Sequence, residues 1–454
     1  MRRSRELNMT EGPLFAKIWV FTLPVIAAGL LQLLYNAADI VVVGNAPGGA
    51  EALSAVGSTT SMIALLVNFF MGLSIGSNVL VSRLFGAEDK EGVHSAVHTA
   101  MLLSVISGII VGILGFIFCG PILTLMGTPK KFLDQAVLYA KIYFCGVPAM
   151  SIYNFGAAIL RSIGDSKRPM IFLGLSGIVN VVLNLFFVFL FGMGADGVAL
   201  ATSISQVVSA YLVVRALIKA DNELKLTIKD LKINVKDLVY ILKVGFPAAV
   251  QGAIFSLSNM LIQSSVNSFD NVYITAGNTA SHSLENFSYT ALNSFSQAAV
   301  TFTSQNIGAG KIERVRLVVK NCVISVLLVG TFTAVLFNLF GRGLLHLYNG
   351  NPEVIEWGMI RLFIMTTFQF LCGIMDSFSG TLRGMGKSLV PAIISLIGAC
   401  GFRVIWIYTV FKAFPEYWVI FSLYPISWLV TALALLIGLI TTYKKLKQKQ
   451  TILV

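Results

Sequence analysis

Long apolar stretches separated by short polar segments recur from one end of the chain to the other. Most of them reach the roughly 20 residues that a helix needs to cross the hydrocarbon core of a bilayer. The pattern predicts an all-α integral membrane protein with twelve transmembrane helices. In chain order, the predicted helices span 14–43, 53–84, 94–118, 135–160, 169–191, 197–218, 238–264, 275–306, 315–340, 355–382, 390–412 and 418–442. The second and eighth exceed what a bilayer requires, so we expect them to be tilted or to extend into solvent.

One long polar segment, residues 219–236, interrupts the apolar pattern almost at the midpoint of the chain. It leaves six predicted helices on each side. We predict an N-lobe over residues 1–218, a cytoplasmic linker over 219–236, and a C-lobe with a basic cytoplasmic tail over 237–454.

Two polar loops of the first half recur in the second half at a constant spacing. The segment SRLFGAEDKEGV, which begins at Ser82, resembles SQNIGAGKIERV, which begins at Ser304. The segment LRSIGDSKRP, which begins at Leu160, resembles LRGMGKSLVP, which begins at Leu382. The differences 304 minus 82 and 382 minus 160 are both 222. Chance similarity among apolar helices does not produce one spacing in two polar loops, so we interpret the pattern as an internal repeat.

The repeat also predicts how the halves are arranged. Each half has six predicted helices, an even number, so both halves cross the membrane in the same direction. Pro24 in the first helix and Pro247 in the seventh align at nearly the same spacing. We therefore expect two parallel six-helix lobes around a central cleft, a plan typical of transporters that work by alternating access.

The composition excludes a soluble protein. Hydrophobic residues make up 56% of the chain and charged residues only 12%, whereas about a quarter of a soluble domain is charged. The net charge of +12 comes from lysines and arginines in short loops and tails. About 22 of them fall on the side that holds both termini and about four on the other, which places both termini in the cytoplasm. We expect a multi-pass protein of the cell membrane with no nucleic-acid partner.

No pattern typical of a catalytic or cofactor site is visible. None of the five cysteines forms a CxxC pair, and the four histidines show no HExxH or other metal-binding spacing. The glycine-rich segment Gly192–Gly197 has no phosphate-loop lysine and is typical of a tight turn. We expect no enzyme activity, no cofactor and no metal beyond Na⁺. The expected energy source is an ion gradient, and the expected partners of a monomeric protein are a small organic substrate and the lipid bilayer.

Ionisable and amide side chains inside a membrane span are costly, and they are usually functional. In the first half they are Asp39, Asn36 and Gln32 on one face of the first predicted helix, Asn180 and Asn184 on one face of the fifth, and Thr202 at the start of the sixth. All lie at a similar depth in the outer third of the membrane. A carboxylate, amide oxygens and a hydroxyl suit a small alkali cation, and a desolvated carboxylate can equally hold a proton. The alternatives are a buried acid paired with a helix neighbour and asparagines that join helices by hydrogen bonds.

The second half offers different groups. Asn259 repeats the asparagine of the first helix and Gln263 follows one turn later, but no residue there matches Asp39. Glu285 and Arg403 lie at a similar depth on the eighth and eleventh helices, so we expect a buried ion pair. A substrate- or proton-binding role for Glu285 is the alternative.

Two further features concern the gate and the pocket. Asp376 on the tenth helix lies nearer the cytoplasm, either as a partner of Arg383 at the helix end or as part of an inward gate. Aromatic and methionine-rich walls are typical of polyspecific pockets. The candidates for lining a substrate cavity are Gln32, Tyr35, Tyr153, Asn259, Gln263, Glu285 and Phe287.

Several motifs together resemble the multidrug and toxic compound extrusion family. They are Pro24, the Gly86-Ala87 loop, Leu160–Asp165, Asn180–Asn184, Gly192–Gly197 and Ala201-Thr202. Their order and spacing cover essentially the whole chain, and they are most similar to the bacterial and archaeal branch whose key acid lies on the first helix. The resemblance implies export of organic cations and other amphipathic compounds, driven by the entry of protons or sodium ions.

The resemblance also carries Asp39, Asn180 and Thr202 onto the cation site of the family's N-lobe. Asn184 departs from the pattern because many members have an aspartate there. We predict a secondary antiporter that exports cationic or amphipathic organic compounds in exchange for H⁺ or Na⁺, with Pro24 as the point where the first helix bends. The alternatives are a flippase for a lipid-linked precursor with the same plan, and a channel or non-transporting scaffold.

Overall fold

The structure is a computed structural model that describes residues 7–45 and 49–453, and its fold is all-α. The helices are α1 Leu14–Gly44, α2 Gly49–Gly86, α3 Lys90–Leu125, α4 Lys130–Ser162, α5 Lys167–Leu190, α6 Ala195–Ile218, α7 Val235–Asn267, α8 Val272–Gly308, α9 Glu313–Tyr348, α10 Pro352–Gly384, α11 Leu389–Phe411 and α12 Tyr417–Leu453. The predicted all-α class and the predicted number of twelve helices are confirmed.

Within the described residues, eleven of the helices are long and apolar enough to cross a membrane. The exception is α8, which has the length, at 37 residues, but carries many polar side chains. Asn278, Glu285, Gln305 and Asn306 of α8 are all buried, so its polar groups face other helices of the protein. The chain is therefore a multi-pass membrane protein in which α8 is the most polar helix.

Most observed helices extend beyond the predicted bounds because hydropathy detects only their apolar middle. The third helix was predicted at 94–118 but runs from Lys90 to Leu125. Its polar start is stabilised by Asp89, whose side chain accepts a hydrogen bond from the backbone N–H of Gly92 at 2.9 Å. Such capped polar turns lie outside any apolar run, and the sequence pattern therefore underestimates helix length.

Two helices contain π-helical turns that the hydrophobic pattern did not predict. In α5 the π segment is Phe186–Leu190, and α11 has two, Leu396–Gly401 and Ile407–Phe411. A π turn holds an extra residue and is frequent at functional sites. These segments lie beside the polar residues that α5 and α11 contribute to the two units described next.

The described chain divides into two compact units. One consists of Leu7 together with Ala27–Gly245, and the other of Asn8–Ile26 together with Phe246 onward. The first part of α1 therefore packs with the second unit, where the ring centroids of Trp19 and Phe295 lie 5.5 Å apart.

The same interhelical contact occurs in both units. In the first unit, the Ser82 hydroxyl of α2 donates a hydrogen bond to the carbonyl oxygen of Ser162 in α4 at 3.3 Å. In the second unit, the Ser304 hydroxyl of α8 donates to the carbonyl oxygen of Gly384 in α10 at 3.2 Å. Both serines belong to the repeated loop motif, so the repeat seen in the sequence preserves a structural contact.

The repeated loops also end helices in the same way. Gly164 after α4 and Gly386 after α10 have φ values of 89° and 78°. This left-handed conformation is the usual C-terminal cap of a helix, and it favours glycine because a Cβ atom is strained there. After α2 and α8 the equivalent residues are Glu88, with φ 57°, and Gly310, with φ 71°. Glu88 thus occupies a position where the other half of the chain has glycine.

We expect the substitution Glu88→Gly to raise the stability of the protein by up to about 1 kcal/mol. Removal of left-handed strain contributes about 1–2 kcal/mol, and the greater flexibility of glycine in the unfolded chain offsets part of it. Thermal unfolding of the purified protein in detergent measures the effect. Ala87→Gly is the matched control, and it should lower the melting temperature because it adds flexibility without relieving strain. An equal or lower melting temperature for Glu88→Gly would contradict the prediction.

The segment that the sequence predicted as a linker is packed against the first unit. Leu224 and Leu226 are buried. The backbone N–H of Thr227 donates to His98 Nε2 at 3.0 Å, and the backbone N–H of Asn234 donates to Thr99 Oγ1 at 3.0 Å. These contacts hold the segment on the N-terminal turns of α3.

Candidate functional site

Four of the predicted site residues form one hydrogen-bonded chain in the first unit. Asp39 comes from α1, Asn180 and Asn184 from α5, and Thr202 from α6. The amide nitrogen of Asn184 donates to the carboxylate of Asp39 and, at 3.2 Å, to the amide oxygen of Asn180. The amide nitrogen of Asn180 donates in turn to Thr202 Oγ1 at 3.3 Å. The structure therefore brings together residues that are up to 163 positions apart in the sequence (202 minus 39).

The burial of these four hydrogen-bonded residues determines what they can bind. Asn180 and Asn184 are 1% and 0% exposed, whereas Asp39 and Thr202 are half-buried. The amide oxygen of Asn184 is buried and has no hydrogen-bond partner. A buried acceptor without a partner is costly, and it is usually satisfied by water or an ion. The residues present therefore fit a small cation, with the Asp39 carboxylate supplying the charge and the Asn184 oxygen a neutral ligand.

Local sequence explains why α1 and α5 approach at this point. Asn180 and Asn184 are one turn apart, so they share a face of α5, and the π segment of α5 begins two residues after Asn184. A Cβ atom at Gly177 would lie 2.8 Å from Cδ1 of Tyr35. Glycine at this position lets the Tyr35 ring of α1 lie directly on the backbone of α5.

The other predicted residues of the first half lie outside the hydrogen-bonded chain. Asn36 is exposed, and Gln32 is half-buried. Tyr153 donates its hydroxyl to the carbonyl oxygen of Pro169 at 3.0 Å, which ties α4 to α5. Pro24 is buried inside α1, and the helix continues through it from Leu14 to Gly44.

A family model named MatE matches this chain twice, over residues 24–186 and 247–409. The two matches begin at the prolines of α1 and α7, and together they cover more than half of the chain. The chain belongs to the MatE family. The second match begins and ends 223 residues after the first (247 minus 24 and 409 minus 186), so the two matches also support the internal repeat.

Two bacterial multidrug resistance proteins are among the relatives of this MatE family member. It is 28% identical to the probable multidrug resistance protein YoeA of Bacillus subtilis over 89% of each chain. It is 27% identical to the probable multidrug resistance protein NorM of Thermotoga maritima, covering 83% of this chain and 81% of that protein. A solved outward-facing multidrug resistance MATE family transporter of the MOP superfamily superposes with a TM-score of 0.91 at 21% identity, over 99% of this chain and 100% of that one, and therefore has the same fold.

In the second unit of this MatE protein, one predicted pairing is wrong. Glu285 of α8 forms its salt bridge with Arg361 of α10, at 2.7 Å, and the predicted partner Arg403 instead donates to Asn259 Oδ1 at 3.2 Å. The Arg361 side chain also donates to Asn278 Oδ1 at 2.6 Å. Arg361 was missed because a single arginine in a long apolar run gives no sign of its partner.

The remaining candidates of the second unit have separate partners. Asp376 accepts a hydrogen bond from the Asn293 amide at 3.0 Å, whereas Arg383 donates to Gln251 at 2.8 Å. Gln263 accepts from Asn278 at 2.9 Å, which connects it to the Arg361 network. Phe287 packs on an apolar cluster of the same unit. Of these residues, only Gln263 shares a network with Glu285.

A cluster of possible metal ligands was also missed by the sequence pattern. His94 and His98 lie one turn apart on α3, and Asp230 reaches them from the segment between α6 and α7. Both ring nitrogens of His98 are already used, with Nδ1 2.7 Å from the carbonyl oxygen of His94 and Nε2 accepting from Thr227. A metal would have to replace these contacts, so the cluster serves to hold the segment in place.

Proposed function

We propose that this chain is a secondary active antiporter that exports cationic or amphipathic organic compounds in exchange for H⁺ or Na⁺. The observation that carries the proposal is the half-buried carboxylate of Asp39 joined to Asn184, Asn180 and Thr202. The MatE family is a family of transporters, and the relatives named above as multidrug resistance proteins support drugs and toxins as cargo.

The proposed mechanism uses the charge of Asp39. A carboxylate removed from bulk water is destabilised, and binding of a proton or Na⁺ removes that cost. Binding also changes which hydrogen bonds Asn184 can make, because its amide nitrogen donates to Asp39 only while an acceptor is free. The rearrangement is transmitted along α1, where Pro24 removes one backbone hydrogen bond and provides a point of bending.

Two features set the coupling. The site has one carboxylate, so it can take up one proton but not two. Asn184 replaces a second acid by a neutral oxygen, which weakens the electrostatic attraction for Na⁺ without removing a ligand. In this proposal the chain belongs to the branch of the family whose key acid lies on the first helix. It acts as a monomer in the cell membrane, with both termini in the cytoplasm.

The test is transport by the purified full chain in proteoliposomes, under an imposed pH difference alone and then under an imposed Na⁺ difference alone. We expect the movement of a cationic dye such as rhodamine 123 against its own gradient under at least one of the two. The gradient that drives it identifies the coupling ion. Equal dye movement with neither gradient present would contradict antiport and would indicate a passive pathway.

A further inference from the structure

The second unit contains a buried positive charge that the proposed cycle does not use. Arg403 of α11 is 3% exposed. Among the described residues its one hydrogen-bond acceptor is Asn259 Oδ1 at 3.2 Å, and its buried Nε atom has no partner. A guanidinium group has five N–H donors. Most of its hydrogen-bonding capacity is therefore unused in a place where water is largely excluded.

No carboxylate among the described residues forms a salt bridge with this arginine. The described acids of the second unit that lie in the membrane-spanning region have other partners, since Glu285 is paired with Arg361 and Asp376 accepts from Asn293. None of the described salt bridges involves Arg403. A buried charge without a direct ion-pair partner is costly, and such groups inside a membrane span are usually functional.

The internal repeat shows what this position corresponds to. The shift of 223 residues between the two family matches places Arg403 opposite Asn180 and Ile262 opposite Asp39. The triangle of α7, α11 and α12 thus corresponds to the triangle of α1, α5 and α6. In the first unit that triangle holds a carboxylate, whereas the described residues around Arg403 on α7, α11 and α12 include no acid.

The surroundings of Arg403 indicate the chemistry of a ligand. Its guanidinium carbon lies 4.4 Å from the centre of the Tyr424 ring of α12 and 5.7 Å from that of Phe255 of α7. Asn259 is exposed, so a ligand can reach the guanidinium by replacing this amide. The π segment Leu396–Gly401 ends two residues before Arg403 and has no counterpart in α5. Its extra residue rotates the side chains that follow it on α11 relative to a regular α-helix.

We propose that this triangle is a binding site for an organic anion with an aromatic body, such as an aromatic carboxylate or sulfonate. The anionic group pairs with Arg403, because a charge-assisted, bidentate contact satisfies the unused donors. The aromatic body lies along Tyr424 and Phe255. The inference rests on the proposed export function, and it extends the cargo from cationic to anionic amphipathic compounds.

The test uses two dyes that share a xanthene ring system but differ in charge. The purified full chain in nanodiscs of zwitterionic lipid is titrated with fluorescein, an anion, and with rhodamine 123, a cation, and fluorescence polarisation gives the dissociation constants. We expect Arg403→Gln to weaken fluorescein binding by about tenfold or more, the usual worth of a charge-assisted contact. Rhodamine binding should change by less than about twofold.

Arg316→Gln is the matched control. Arg316 lies 4.6 Å from the ring centre of Tyr443, so this variant also removes one arginine that stacks on a tyrosine of α12, but at an exposed position. It should bind fluorescein like the wild type. A competition experiment on the wild type alone does not depend on whether a variant folds. In it, 2-naphthoate should displace fluorescein, and the corresponding aromatic amine should not.

Three results would overturn the inference. Equal fluorescein binding by wild type and Arg403→Gln would show that the arginine has an internal role. Displacement by the amine as well as by the carboxylate would show that binding does not depend on the negative charge of the ligand. Loss of Arg403-dependent binding when phosphatidylglycerol is added to the nanodiscs would assign the site to a lipid headgroup. None of them needs an ion gradient, so failure here is distinct from failure of antiport.

Discussion

Asp39→Asn is expected to abolish gradient-driven export while leaving the protein folded and able to bind its substrate. The amide has nearly the same shape as the carboxylate, and its oxygen can still accept the hydrogen bond that Asn184 donates. What it loses is the ability to exchange a negative charge for a bound proton or Na⁺, and the proposed cycle depends on that exchange. Dye export from proteoliposomes should fall to the level of empty vesicles under either gradient.

Asp196→Asn is the control for loss of one carboxylate in the same unit. Asp196 lies in the first turn of α6, where its side chain accepts a hydrogen bond from the backbone N–H of Gly194 at 3.0 Å. An asparagine oxygen can replace that acceptor, so transport should be close to that of the wild type. Transport by the wild type should depend on the imposed pH or Na⁺ gradient, whereas any dye movement that remains in Asp39→Asn should show no such dependence. Full transport by Asp39→Asn would reject the coupling role of this residue.

The second large effect concerns stability. Arg361→Met should lower the free energy of unfolding by about 3–5 kcal/mol, because it leaves the Glu285 carboxylate buried without its arginine partner. The two side chains are only 7% and 10% exposed, and their charged groups lie 2.7 Å apart. The double variant with Glu285→Gln removes both charges, so it should recover much of the loss. Thermal and denaturant unfolding of the purified protein in detergent measure both effects.

An exposed ion pair of the same unit provides the comparison. Arg342 and Glu356 are 2.8 Å apart, and their side chains are 66% and 60% exposed. Arg342→Met should change the free energy of unfolding by no more than about 1 kcal/mol, since water and salt screen such pairs. If Arg361→Met and Arg342→Met unfold alike, the Glu285 pair does not stabilise the second unit in the way the structure indicates.

Most of the fold could be predicted because the bilayer restricts the possible structures. The pattern of apolar runs, of which α8 is the most polar, predicted the number of helices, and one spacing shared by two polar loops predicted the repeat that the family match supports. The cluster of Asp39, Asn180, Asn184 and Thr202 could also be proposed, because these side chains lie at one depth and each pair on a helix shares a face. Once the helices are assigned, the position of a residue in the sequence predicts both its depth in the membrane and the helix face on which it lies.

The partners in the second unit could not be predicted, because depth does not determine which helices are neighbours. Glu285 and Arg403 lie at a similar depth, yet α8 packs against α10, so Glu285 pairs with Arg361. The π turns were also not predictable, since they leave the apolar pattern intact while rotating the side chains that follow. The two buried arginines differ mainly in their neighbours, and only the structure shows that one is paired and the other is not.

The polarity of α8 has a consequence for biogenesis. During synthesis α8 leaves the ribosome before α10, so Glu285 enters the insertion machinery while Arg361, 76 residues later, has not yet been made. A nascent helix with an unneutralised acid at its middle partitions poorly into lipid by itself. We therefore expect α8 to enter the lipid together with α10, as part of a group of helices, and not on its own.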